Sequence, residues 1–146
     1  FPAETIAALA RDGRRLLLDA QGVVRLGTTG PLAEDANVDR AIFRELAILT
    51  MNELEAQALV GGTDPERLRS LGVAEVVLTR ASRGAVAVTG GQATEIPAAR
   101  VEGAVDPTGA GDSFALVYLE ARSRGAEPAE AGAHAARVVA ELIARP

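Results

Sequence analysis

The chain has 146 residues, a net charge of −5, 48 % hydrophobic content, no cysteine and no lysine. The acidic balance argues against nonspecific nucleic-acid binding, which needs a basic surface. Apolar runs such as Leu16-Leu17-Leu18 are too short to span a bilayer. Without cysteine there are no disulfides and no thiolate metal sites, a composition suited to the cytoplasm. The length fits about one domain.

The start, Phe1-Pro2-Ala3-Glu4-Thr5, lacks the charged and apolar regions of a signal peptide and reads as the middle of a fold. The chain is therefore expected to be a fragment, a cleavage product or the ordered part of something longer. Thr5 to Arg11 is Ala-rich and amphipathic, and Asp12-Gly13 breaks it. Arg15 to Asp19 predicts a short buried parallel strand ending in a carboxylate. Gly22 to Leu32, with Gly27, Gly30 and Pro31, predicts a loop, and Asp39 to Glu45 a short helix. Leu46 to Met51 predicts a second buried strand. Glu53 to Val60 predicts a helix stopped by Gly61-Gly62, and Thr63-Asp64-Pro65-Glu66 opens another that runs to about Leu71. Three strands are expected next, Glu75–Thr79, Gly84–Thr89 and Ala93–Pro97, the last two as a hairpin about Gly90-Gly91. Two long helices follow, 109–123 and 128–145, divided by Gly125.

This order predicts an α/β layered sheet, mostly parallel, with an antiparallel hairpin at one side. In such sheets sites lie beyond the carboxyl ends of the strands. Asp19, Asn52, Thr79 and the Asp106–Asp112 loop all fall at or just past such ends, and one site is expected from all four.

The loop Val105-Asp106-Pro107-Thr108-Gly109-Ala110-Gly111-Asp112-Ser113-Phe114 carries the most chemistry. Two glycines at a loop-to-helix junction let several N–H groups face one point. The helix dipole adds positive potential there, which makes an anion site. A carboxylate just inside that site, Asp112, makes sense as a base that takes a proton from an attacking hydroxyl. Alone, a bare Gly-x-Gly-Asp also describes an ordinary first-turn acid after turn glycines.

The longer string resembles the C-terminal signature of the PfkB (ribokinase-like) carbohydrate and nucleoside kinases, commonly Asp-Thr-x-Gly-Ala-Gly-Asp. The resemblance implies that Gly109, Ala110 and Gly111 hold the transferred phosphoryl group and that Asp112 deprotonates the acceptor. It places Asp106 and Thr108 where relatives often bind a monovalent cation such as K⁺. Asn52-Glu53-Leu54-Glu55 resembles the family's Asn-x-x-Glu motif, which organises Mg²⁺, water and phosphate, although the same residues also make a capping box. Thr79-Arg80-Ala81-Ser82-Arg83-Gly84 resembles the Thr-x-Gly-x-x-Gly turn beside the nucleotide phosphates, with Ala81 at the first glycine; the alternative is an exposed basic turn. Asp19-Ala20-Gln21 departs from the family's Asp-x-Asn at Gln21, and Arg25 reads as a loop-fixing residue. Leu116 and Val117 stand where relatives carry small residues. His134 lies on the helix that often lines the adenine pocket, or is a helix residue without a special role.

The resemblance covers residue 16 to the end and implies the C-terminal portion of a three-layer αβα ribokinase-like domain. The N-terminal half and its β-sheet lid, often used for homodimers, are absent from residues 1–146. The implied activity is ATP- and Mg²⁺-dependent phosphorylation of a hydroxyl on a small sugar, polyol or nucleoside, in the cytoplasm, with neither nucleic acid nor membrane as partner. A vitamin kinase of the pyridoxal or hydroxymethylpyrimidine type and a noncatalytic nucleotide-binding fragment are the alternatives. No Gly-x4-Gly-Lys loop is present, which excludes a P-loop enzyme.

Overall fold

The computed structural model describes residues 2–24, 38–101 and 106–144. Five strands form one sheet in sequence order: β1 (Leu17–Asp19), β2 (Ile48–Asn52), β3 (Glu75–Thr79), β4 (Ala85–Thr89) and β5 (Gln92–Ile96). β1 pairs with β2 and β2 with β3 in parallel, while β3, β4 and β5 form an antiparallel meander that includes the expected hairpin. Among the described residues six helices accompany them: α1 (Ala3–Leu9), α2 (Gln21–Val24), α3 (Glu53–Val60), α4 (Pro65–Arg69), α5 (Ala110–Ser123) and α6 (Pro128–Ile143). Short 3₁₀ turns lie at Arg11–Gly13, Arg40–Glu45 and Ala81–Arg83.

The apolar strands read as continuous runs because both faces of the sheet are covered. Leu49 and Met51 of β2, Val76 and Leu78 of β3, and Val86 and Val88 of β4 point into one core with α1, α2, α3 and α4. The intervening residues Ile48, Val77, Ala85 and Ala87 point into the other, against Phe114 and Tyr118 of α5 and Ala131 and Ala135 of α6. This period of two across the sheet makes three layers. Each fully buried Leu, Ile or Met contributes about 1.5–3 kcal/mol relative to exposure. Gly132 of α6 brings that helix onto β5, since a Cβ there would stand 2.4 Å from Ile96 Cδ1.

Helix ends follow from local chemistry. Asn52 and Glu55 cap α3 reciprocally, and Gly61 ends it in the left-handed region at φ 70°. Asp64 caps α4 with Pro65 in its first turn. At the end of α5, Gly125 N–H bonds Arg122 O (3.2 Å) and Ala126 N–H bonds Ala121 O (3.1 Å), with Gly125 at φ 93°. That is a Schellman ending, and it turns the chain back so that α6 lies against α5.

Several boundaries differ from expectation. The first helix ends at Leu9, before the left-handed Asp12 (φ 64°) and Gly13 (φ 71°). Arg15 and Leu16 precede β1, whose ladder begins at Leu17, and β2 runs on to Asn52. A short helix occupies Gln21–Val24 where a loop was expected to start. Asp19 Oδ1 accepts from Gln21 N (3.0 Å), and Ala20 O receives Val23 and Val24 N–H, which closes that turn. Arg25, Gly27, Gly30, Pro31, Val105 and Arg145 lie outside the described residues.

Candidate active site

Asp19, Asn52 and Thr79 are the last residues of β1, β2 and β3. The register pairs Asn52 with Thr79 and Asp19 with Thr50, so the three line up along the carboxyl edge of the parallel strands. Hydrogen bonds hold the line. Thr50 Oγ1 donates to Asp19 Oδ2 (2.9 Å), and Thr79 Oγ1 donates to Met51 O (3.2 Å).

Asn52 and Glu55 do form the capping box: Asn52 Oδ1 accepts from Glu55 N (2.9 Å), and Glu55 Oε2 accepts from Asn52 N (2.8 Å). Glu55 is buried, so its carboxylate is fixed in direction under the mouth of the site. An amide and a carboxylate one turn apart, each locked by the backbone, fit a hydrated hard cation that needs few protein oxygens. Among the described residues no cluster of three or more His, Cys, Asp or Glu is placed to hold a metal ion.

The turn after β3 is tightly built. Arg80 N–H bonds Gly84 O (2.7 Å) and Gly84 N–H bonds Ala81 O (3.1 Å). Ala81 sits at φ 51°, in the left-handed region that the glycine of similar turns reaches without penalty. The backbone shape survives the Gly-to-Ala change, at about 1–2 kcal/mol of strain. Gly84, at φ 85°, is obligatory, since a Cβ would stand 2.1 Å from Ile96 O. The turn's two arginines are both held by carboxylates: Arg80 pairs with Glu95 of β5, and Arg83 with Glu53 at the start of α3. Sequence reasoning singled out neither carboxylate. Glu95, on an edge strand, and Glu53, next to Asn52, show their partners only once β3 is placed beside β2 and β4.

The Asp106–Asp112 loop leads into α5. Arg122 near the end of α5 bonds Glu75, the first residue of β3, which anchors that end of the helix at the amino end of the strand. Ten residues of helix from Arg122 back to Asp112 span about 15 Å. The four steps from Glu75 to Thr79 span about 13 Å. A helix of that length is long enough to carry Asp112 from the amino end of β3 to its carboxyl end. Asp106 Oδ1 accepts from Thr108 N (2.9 Å) and braces the loop. Hydrogen bonds from the Thr108 side chain and backbone hold the Asp106 carboxyl below its usual range.

Gly109, at φ 76°, precedes α5, and no side chain caps that helix. Of its first-turn amides, Ala110 N–H donates to Pro107 O (3.0 Å), while those of Gly111 and Asp112 have no side-chain cap, with the positive end of the dipole behind them. Gly111 has an ordinary helical conformation, and a Cβ on it would meet nothing within 4 Å among the described residues. Neither the backbone nor the packing of the described residues requires a glycine there. Asp112 is exposed beside these amides.

His134 is also exposed, two residues beyond Gly132, and no described contact ties it to Asp112 or Asn52. Leu116 is 69 % exposed and so escapes the crowding expected of a large residue behind the loop. Val117 joins the α5–α6 core.

The family model described as pfkB family carbohydrate kinase matches residues 23–146. The chain belongs to the pfkB family. The cytidine kinase of Thermococcus kodakarensis is 39 % identical over 92 residues, which are 59 % of this chain and 33 % of that protein. A pyrophosphate-dependent kinase in the ribokinase family, solved with a pyrophosphate analogue and myo-inositol, superposes with a TM-score of 0.86 at 27 % identity. That match covers 100 % of this chain and 54 % of the other. The nucleoside kinase of Burkholderia thailandensis, solved with inosine, gives 0.79 at 27 % identity, covering 98 % and 45 %. The pfkB chain thus spans a third to about half of these relatives' lengths, and its sheet is the ribokinase-like sheet. No described helix is long and apolar enough to cross a membrane.

Proposed function

We propose that the chain carries the phosphoryl-transfer half of a kinase acting on a hydroxyl of a small sugar, polyol or nucleoside, with ATP as donor. The observation that carries this reading is Gly111: a helical glycine that neither its backbone nor the described packing requires, in a helix start without a side-chain cap and one residue before a carboxylate. Such a position is explained by a ligand that comes close to the backbone. The amides of Gly109, Ala110 and Gly111 would stabilise the charge of the phosphoryl group in flight, and Asp112 would accept the proton of the attacking hydroxyl.

Asn52 and Glu55 would hold Mg²⁺ through its waters, and the ion would supply charge neutralisation on the phosphates. Thr79, Arg80 and Gly84 would line the donor phosphates; Arg80 must then exchange its contact with Glu95 or share it. Asp106 and Thr108 would order the loop, with K⁺ as a further ligand, and His134 would lie toward the base of the nucleotide. The acceptor would be chosen mainly by residues beyond this stretch, because the chain spans only half of the solved kinases. A cytoplasmic location belongs to this reading, since donor and acceptor metabolites are held there.

Pyrophosphate as donor is the second reading, favoured by the superposition on a kinase described as pyrophosphate-dependent. A matrix of donors (ATP, GTP, pyrophosphate) against acceptors (sugars, inositols, nucleosides, pyridoxal), run on the protein at its full natural length, tests both. Transfer to a sugar, inositol or nucleoside with one donor supports the reading and selects the donor. Transfer to pyridoxal alone, or to none of them, contradicts it.

A further inference from the structure

We propose that the buried Glu75–Arg122 pair, at the end of the sheet opposite the site, is a positioning device that sets where along the strands α5 stands. It thereby sets where Asp112 and its neighbouring amides stand. This inference rests on the reading of Asp112 given above.

Glu75 is 3 % exposed and opens an otherwise apolar strand. Arg122 Nε lies 3.0 and 3.1 Å from the two carboxylate oxygens, and Nη2 lies 2.6 Å from Oε2. Thr89 Oγ1, on the neighbouring strand β4, adds a contact of 3.2 Å to the same oxygen. The other guanidinium nitrogen, Nη1, donates to Ala126 O beyond the helix end, and Arg15 Nη1 donates to Arg122 O (2.9 Å). The Arg122 side chain thus ties the last turn of α5 to β3 and to the α5–α6 connection, and the Arg15 side chain ties that turn's backbone to the segment before β1.

Stability does not account for these residue types. Burying two charges is costly, and apolar residues of the same volume commonly pack as well or better. What the pair adds is direction. The remaining grip on α5 comes from Phe114, Ala115, Tyr118 and Ala121, whose packing is mostly apolar and weakly directional, with the Tyr118 hydroxyl turned to the same Glu75 carboxylate. A two-nitrogen fork on a carboxylate, by contrast, admits little sliding or rotation. Because α5 is a rigid rod of about 20 Å, an error at Arg122 is passed on to Asp112. Catalytic positioning is sensitive on that scale, with about 100-fold lost for a misplacement of about 1 Å.

The test compares Glu75→Leu/Arg122→Met, which removes both charges, with Arg122→Lys, which keeps the charge and removes the fork. Asp112→Asn serves as the control for the reaction. All are made in the protein at its full natural length. The double variant is expected to keep its unfolding midpoint while kcat falls about 10- to 100-fold, with the donor KM changed by less than about 3-fold. Arg122→Lys is expected to lose about 3- to 10-fold in kcat, again with KM retained. In both, amide hydrogen exchange across residues 108–113 should quicken while β3 stays protected.

Parent-like kcat and exchange in a folded double variant, or in Arg122→Lys where the double variant does not fold, overturn the proposal. Unchanged exchange across 108–113 overturns it on its own, whatever the reaction turns out to be. A parent protein without transferase activity, or an Asp112→Asn variant as active as the parent, counts instead against the kinase reading.

Discussion

Gly111→Ala separates the demands of the fold from those of the site. Glycine within a helix costs roughly 0.5–1 kcal/mol relative to alanine. At Gly111 the conformation is helical and an added methyl meets nothing within 4 Å among the described residues. The fold alone should therefore gain about 0.5–1 kcal/mol, a rise of about 1–4 °C in Tm for a domain of this size. The site should lose, because the methyl would stand where the transferred phosphoryl group approaches the backbone. Loss of close contact to an oxyanion-type site costs on the order of 100-fold in kcat. The assay pairs thermal unfolding with steady-state kinetics on one preparation. A variant that is more stable and as active as the parent would refute the assignment of Gly111 to the phosphoryl site. A variant that is less stable would refute the open space read around it.

Other changes test neighbouring parts of the account. Ala81→Gly relieves a left-handed alanine and should raise stability by about 0.5–1 kcal/mol in urea unfolding with an unchanged m value, the strain gained back being offset in part by glycine's entropy. Asn52→Ala should cost about 0.5–2 kcal/mol through loss of the α3 cap, whereas Asn52→Ser, which still caps, should stay within a few tenths. If Asn52 also serves the metal, both variants should lose at least about tenfold in kcat; an active Asn52→Ser would leave it a cap alone. Burial alone would raise the Glu75 carboxyl, but hydrogen bonds from Arg122, Tyr118 and Thr89 and the guanidinium charge outweigh that and hold it below 4.5. Its contribution is therefore complete above 4.5 and lost as pH falls below that value. The stability gap between parent and Glu75→Gln, measured by urea unfolding from pH 6 to pH 3, should narrow on acidification; a gap that widens contradicts the sign.

Much of this was legible because the signals were local. The continuous apolar runs, the Gly61 and Gly125 stops and the Asn52/Glu55 spacing each specify an element through neighbours along the chain. The Asp106–Asp112 string named the family before any strand was placed, and β3 fell on Glu75–Thr79 as expected. What escaped depended on contacts distant in sequence. Glu75 looked like an ordinary strand residue until Arg122, 47 positions away, was seen to neutralise it. Glu95 and Glu53 became partners of the turn after β3 only through the β3–β4–β5 register and the β2–β3 pairing. The substitution at Ala81 weakened the turn's pattern in sequence, yet its backbone holds the glycine conformation, because the hydrogen bonds from Arg80 to Gly84 over-determine it. Of the two large residues expected to alter the packing behind the loop, Leu116 is exposed and Val117 packs in the α5–α6 core.

The central claim is that Asp112 takes the acceptor's proton at an edge built from Asn52, Thr79 and the Gly109–Gly111 amides. The most direct measurement is Asp112→Asn in the protein at its full natural length, with turnover and donor binding read side by side. The account predicts a fall in kcat of about 100- to 10,000-fold with donor affinity and unfolding midpoint retained. A kcat within about tenfold of the parent would contradict it.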